Sequence, residues 1–303
     1  MKSLNKLPGS SDQGRWASIF TVAAVVIFGI SGWAWWHVVR SNPERTFYSA
    51  IDNSLRTTGI SRQVTQESGP QKLHQDAYLS QGAQHVARST STIDQTGEVN
   101  ATIKTESVGT PTADYVRYAQ IDTTQKNAGG QSLDFSSLLN IWGKSEPAQG
   151  MTAGDLYNES TLGVVPVANL NVQKRQGLLK LIRDKNVYEI DQQKVVHAIE
   201  GGRPFYTYDV SVKPEAYVTM LKQFASDMNL THLESIDPSQ YKDGEPIVFK
   251  IKVDVWSQRF VEIQYQMGSR IEKYGSFGIN RGVTIPENTI PTEELQAKLQ
   301  SIQ

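Results

Sequence analysis

The chain has 303 residues, with 30 Lys+Arg against 31 Asp+Glu, five His and no Cys. A charge balance this even lacks the basic excess that releases counterions from nucleic acid, so no nucleic-acid partner is expected, while 38% apolar and 20% charged residues describe a folded chain and not a disordered one. Without cysteine there is no disulfide, thiolate zinc site, Cys nucleophile or lipid-modified N-terminal Cys, and membrane attachment falls to the polypeptide itself.

The first 15 residues carry Lys2, Lys6 and Arg15 and form a short polar tail. From Trp16 to Val39 no Asp, Glu, Lys or Arg occurs. At about 1.5 Å per residue a helix of that length crosses a hydrocarbon core of about 30 Å, and its backbone bonds are satisfied internally, as lipid requires. Trp33, Trp35 and Trp36 cluster at its far end, where indole rings prefer the boundary between tails and headgroups, so they are expected to anchor the helix at the interface. A cleaved secretory signal is the competing reading, because Gly32-Trp33-Ala34 offers small residues to a peptidase. The apolar run continues through Val38 and Val39, however, beyond the roughly 7 to 15 residues a signal core needs. Basic residues flank both ends, so charge does not set the orientation. The Trp-rich boundary and the size of the C-terminal remainder place the tail inside and the domain outside. Three parts are expected: a cytoplasmic tail over 1–15, a single-pass transmembrane helix over 16–39 and an extracytoplasmic domain over 40–303.

Asn42-Pro43-Glu44 is a helix start, with Asn as cap and Pro where no N–H is needed. Phe47, Ile51 and Leu55 then form an apolar stripe that ends at Gly59. Beyond it the period falls to 2, and strands are expected near Ile60 to Glu67, Gln71 to Leu79, Ala83 to Ile93, Glu98 to Glu106 and Asp114 to Ile121, an antiparallel meander punctuated by glycines. Residues 122–163 are polar and irregular, yet Phe135, Leu138, Leu139 and Trp142 fall at i, i+3, i+4 and i+7, which predicts a helical apolar stripe. Asn169 to Arg183 reads as a helix. A hairpin is expected around Gly201-Gly202-Arg203-Pro204, in which His197 alternates with Val195 and Ile199 and is expected to face the core. Pro214 opens a helix carrying Tyr217, Met220, Leu221, Phe224 and Met228. Two strongly alternating strands meet across Ser257-Gln258, Arg270 to Phe277 adds a third, and Thr292 caps a terminal helix. The fold class is α+β, a curved, mainly antiparallel sheet in the form of a half-barrel with helices over its concave face.

No motif that performs chemistry stands out. Gly143-Lys144-Ser145 lacks the first glycine of a phosphate loop, the histidines are not at zinc-binding spacing, and no nucleophile turn occurs. No metal, cofactor or catalytic residue is expected. The stripe of Phe135, Leu138, Leu139 and Trp142 carries the physical content: it either closes as a lid over an apolar ligand, completes the core, or lies on the outer leaflet.

The helix from Pro43 with Phe47-Tyr48-Ser49-Ala50-Ile51-Asp52, the meander, the helical insertion and the closing Val253-Asp254-Val255-Trp256-Ser257 hairpin resemble the lipoprotein-carrier superfamily of LolA-type half-barrels, over most of residues 43–300. The layout is also similar to that of uncharacterised bacterial membrane-anchored proteins. The resemblance implies a bacterial, membrane-anchored, non-catalytic cell-envelope protein that binds a lipid, another apolar ligand or a lipidated partner. Relatives of that kind are often tethered through a lipidated Cys, which this chain lacks. A second resemblance, to a cone-shaped NTF2-like domain on a short anchor, implies instead an envelope scaffold or sensor that docks another protein. An unrecognised envelope enzyme is the third reading.

Overall fold

A computed structural model describes residues 42–127, 129–146, 154–230, 233–266 and 269–302. The segment Trp16 to Val39, with Trp33, Trp35 and Trp36, lies outside them. No helix among the described residues is long and apolar enough to cross a membrane.

The N-terminal helix α1 (Pro43–Ser54) begins as its sequence dictates, with the Arg45 amide donating to the Asn42 side chain at 2.9 Å. Its stripe is buried: Phe47 packs edge-on against the rings of Tyr188, Tyr208 and Phe260 at 5.8, 5.3 and 6.1 Å. Burying each such side chain contributes about 1.5–3 kcal/mol. Five long strands come next as a meander: β1 (Gly59–Ser68), β2 (Gln71–Gln81), β3 (His85–Gln95), β4 (Ala101–Thr110) and β5 (Ala113–Thr123). After the short strand β6 (Trp142–Ser145) come α2 (Asp155–Thr161), α3 (Val172–Asp184), β7 (Tyr188–Ile190), the hairpin of β8 (Val196–Glu200) and β9 (Arg203–Val212), and α4 (Pro214–Asp227). A second meander, β10 (Ile247–Asp254), β11 (Arg259–Tyr265) and β12 (Ile271–Gly275), precedes β13 (Thr289–Pro291) and the terminal helix α5 (Thr292–Gln300).

Among the described residues, thirteen strands join one open, curved sheet in the order β13-β6-β5-β4-β3-β2-β1-β12-β11-β10-β9-β7, with β8 also paired to β9. These pairings are antiparallel except for β13 with β6, so the sheet is mixed and not purely antiparallel. Register breaks at Lys104/Thr105 and at Lys252/Val253 place bulges in each half, the usual device for bending a strand. Helices α1 to α4 lie on one face. The largest core cluster joins α1, α3 and α4 to β9, β10 and β11.

The opposite face is crossed by residues 276–288 on their way from β12 to the far edge. Val283 seats among Tyr78, Val86, Val108 and Tyr115. The strap's Gly278 amide donates to the Gly59 carbonyl at 2.8 Å. A Cβ on Gly59 would stand 2.0 Å from the Ile279 carbonyl oxygen, so only glycine admits so close a strap. On the helical side, Gly109 plays the same part for α2, where a Cβ would meet the Tyr157 amide nitrogen at 2.8 Å.

Three local expectations fail. The stripe from 135 to 142 is not a helix: Ser136–Leu138 make one 3-10 turn, Leu139 is extended, Asn140 has φ 64°, and Trp142 opens β6. Local polar bonding explains this, because the Asp134 carboxylate accepts the Ser136 amide and folds a turn there, while β5 and β13 offer β6 two strand partners. Thr292 does not cap α5; its hydroxyl is buried without a partner among the described residues. His197 is exposed, since β8 is an edge strand with no core on its far side. Four short elements are additional to the expected set: α2, β6, β7 and β13.

Candidate functional site

Where the two halves of the sheet meet, β1 pairs with β12 from Ser61 opposite Gly275 to Thr65 opposite Ile271. Alternation along β1 turns Ile60, Arg62 and Val64 to the helical side, and along β12 it turns Glu272 the same way. A cavity of about 590 Å³ opens above them, bounded by α4, the end of α2 and strands β9 to β12. Leu162, Val164, Val212, Tyr217, Val218, Phe249 and Tyr265 line it, with Arg62, Glu159, Arg270 and Glu272 at its charged end. That volume and mixture of an apolar wall with a few convergent polar groups are typical of small-molecule sites. Phe249 and Tyr265 meet edge to face at 5.1 Å and stiffen the wall.

The inner part of the charged end is buried, while Glu159 is half exposed and Arg270 part exposed. Glu272 is 0% and Arg62 6% exposed. The Glu272 carboxylate accepts from the Tyr265 hydroxyl at 2.9 Å, from Arg270 Nε at 2.8 Å and from the Tyr274 hydroxyl. Arg62 donates to the Glu159 side chain at 3.1 Å and to its carbonyl at 3.3 Å, while its Nε has no partner among the described residues. Two arginines thus face two glutamates, and the cluster is balanced in charge. Burial pushes the Glu272 carboxyl up, but Arg62, the Tyr274 hydroxyl, Arg270 and Tyr265 outweigh it and hold the group below the usual carboxylate range. The same burial, with Glu272 alongside, pushes the phenols of Tyr217, Tyr265 and Tyr274 upward. Tyr217 spends its hydroxyl on the Gly163 carbonyl at 2.9 Å, which ties α4 to the loop after α2.

The residues singled out in the insertion lie elsewhere. Phe135 and Leu138 are buried against Leu295 of α5, with Val116, Tyr118 and Ile121 of β5 beside them. Leu139 bridges to Tyr118, and Trp142 lies under the Arg117 guanidinium at 4.8 Å. None of the four lines the cavity between the sheet halves. What sequence reasoning missed was Arg62 and Glu272. The signal was present for Arg62, a charged residue in the inward register of a strand between Ile60 and Val64.

No group of three or more His, Asp or Glu side chains placed to hold a metal ion occurs among the described residues. His74 bonds Asp76 at 3.2 Å on the open face of β2, and His85 bonds the Tyr157 hydroxyl at 3.2 Å. His232 lies outside the described residues. A second recess, of about 540 Å³ on the strap side, has a polar lining that includes Gln63, Asp76, Arg88, Thr90, Lys273 and Arg281.

Fold and cavity together define an α+β domain with a helix-covered, curved open sheet and an apolar recess at its seam. No protein-family model matches the chain, and no curated protein does. Among solved structures it is similar to LprF from Mycobacterium bovis, at 12% identity and a TM-score of 0.40, over 82% of this chain and 98% of that one. A likeness of that degree leaves the functional reading to the cavity itself.

Proposed function

We propose that this chain is a membrane-anchored, extracytoplasmic, non-catalytic binding protein of the bacterial cell envelope, and that it holds the apolar part of a lipid or similar amphiphile in the seam cavity. The observation that carries the reading is the 590 Å³ recess walled by Leu162, Val164, Tyr217, Val218 and Phe249. Apolar surface left open to water is unfavourable by roughly 25 cal/mol per Å², so an apolar ligand gains by covering it. The charge-balanced end neither attracts nor repels a net charge strongly, which suits a neutral polar group at the ligand's wet end.

The titrating groups of the site support a binding role over an acid–base one. Catalytic proton transfer is favoured by a pKa near the working pH. Here Glu272 is pushed below the carboxylate range and the three phenols above theirs, so both kinds of group move away from neutrality. The anchored placement rests on the uncharged run from Trp16 to Val39, and the outward orientation on the Trp33, Trp35 and Trp36 boundary and the size of the C-terminal remainder.

Native mass spectrometry of the full chain, purified from its own host in mild detergent, tests the proposal. Adducts of lipid mass that persist when detergent is stripped are expected. A bare protein mass, with no binding of an added apolar fluorophore, would overturn it.

A further inference from the structure

We propose that the open sheet edge formed by β8 rests on the lipid surface from which the chain emerges, with Val196 and Ile199 entering the headgroup region. This inference builds on the anchored reading above and adds a contact surface to it. The apolar run ends at Val39, three residues before Asn42, and three residues span at most about 11 Å when fully extended. The start of α1 is therefore held close to the bilayer. That start is tied to the β8 side of the sheet: the Gln192 side chain donates to Glu44 at 2.7 Å, and the Tyr208 hydroxyl donates to the Pro43 carbonyl at 2.8 Å. Tyr208 lies on β9 one residue beyond Thr207, the residue opposite Val196.

The edge itself carries the second observation. Strand β8 bonds to β9 on one side only among the described residues. Open edges are commonly protected by lysine, proline or a bulge. The sequence of β8, Val196 to Glu200, has no lysine or proline, its register with β9 is unbroken, and its one formal charge, Glu200, is taken up by Lys252 at 2.6 Å. Val196 is 59% exposed and Ile199 69%. Three positions apart, they flank the edge on its two faces, so a lipid surface that meets the edge covers both. Arg45, exposed in the first turn of α1, suits anionic headgroups. An edge that exposes Val196 and Ile199 beside a membrane anchor is protected by the lipid itself.

The natural absence of cysteine makes the test clean. Val196→Cys, Ile199→Cys and a control, Glu98→Cys on the β3–β4 turn, are each labelled with an environment-sensitive fluorophore in the full chain. The variants are reconstituted in phosphatidylglycerol–phosphatidylcholine vesicles that carry doxyl-labelled lipid. All three positions are exposed, so the fold is expected to tolerate them. Quenching at 196 and 199 at least about twofold above that at 98 is expected for shallow interfacial insertion. Equal, weak quenching at all three in chains that float with the vesicles would overturn the inference while leaving the anchor intact. Chains that fail to float would overturn the anchored reading and this one with it. A disulfide between two copies at position 196 or 199 would overturn it as well, by showing that a second chain, and not lipid, covers the edge.

Discussion

The two halves of the sheet are built on different terms. On the β9–β11 side, α1, α3 and α4 bury a continuous apolar cluster in which Phe47, Tyr188, Tyr208, Phe224 and Ile251 are wholly covered. On the β2–β5 side, the apolar clusters are smaller and separate, and polar side chains are buried among them, as where Gln75 donates to Ser89 at 3.0 Å. The dry half can hold its shape by packing alone. The wetter half depends on close backbone contacts at Gly59 and Gly109 and on the strap that crosses its outer face. The cavity lies along the seam between them, where the helices no longer fill the space and the deeply buried charges of Arg62 and Glu272 are paired. The recess is therefore a property of the junction, kept open by packing on one side and tethering on the other.

Perturbations of the seam are expected to have the largest effect. Replacing Glu272 by Leu leaves the buried Arg62 and the part-buried Arg270 with only the half-exposed Glu159 as counter-charge, and breaking a buried ion cluster in this way costs about 3–5 kcal/mol, to be read from urea denaturation. The pH dependence has a definite sign. Because the folded-state value of Glu272 lies below the unfolded one, its contribution is fully present above the ordinary glutamate value of about 4.3 and is lost as pH falls through the depressed value. The stability of the wild-type chain is therefore expected to weaken in that acid window, and Glu272→Gln removes that component. A midpoint for Glu272→Gln with the same pH slope as wild type would contradict the assignment.

The tethered half gives the next effect. Gly59→Ala forces the strap away from β1 at Ile279 and is expected to cost about 1–3 kcal/mol, as overpacking does. Faster hydrogen exchange at Gly278 would accompany it, because that amide bonds both Gly59 and Thr57. On the dry half, Asn42→Ala removes one cap bond from α1 and should lower stability by about 1 kcal/mol. The smallest effect belongs to the open face. Arg88→Ala breaks a half-exposed pair with Glu106, which keeps Arg117 as a partner at 3.0 Å, so a change under about 0.5 kcal/mol is expected. An Arg88 effect as large as that of Gly59 would mean that the outer face is not simply wet.

Much of this division was legible in the sequence. The five strands of the first meander, the capped helix at Pro43, the helix at Pro214 and the β10–β11 hairpin all follow from period and punctuation, since each must turn one apolar face to a common core. The 135–142 segment departs from the helical period that Phe135, Leu138, Leu139 and Trp142 match, because Asp134 and Asn140 supply turn geometry that the period ignores. Phe135 and Leu138 do bury, beneath α5, but on a single 3-10 turn. The site was only half visible. Arg62 shows as a charge in an apolar register, but its neighbours Glu272, Arg270 and Glu159 come from β12, the turn before it and α2, and no local pattern announces that distant elements will meet.

Filling the seam cavity tests most directly whether it is the binding site. Val218→Trp, on the half-buried flank of α4, projects an indole into the recess with little disturbance of the core. Titration of an apolar fluorophore into the full chain is expected to show affinity at least about tenfold weaker than wild type, a change of about 1.4 kcal/mol, with an unchanged urea midpoint. Undiminished binding by a stably folded Val218→Trp chain would contradict the account and place any ligand elsewhere on the molecule.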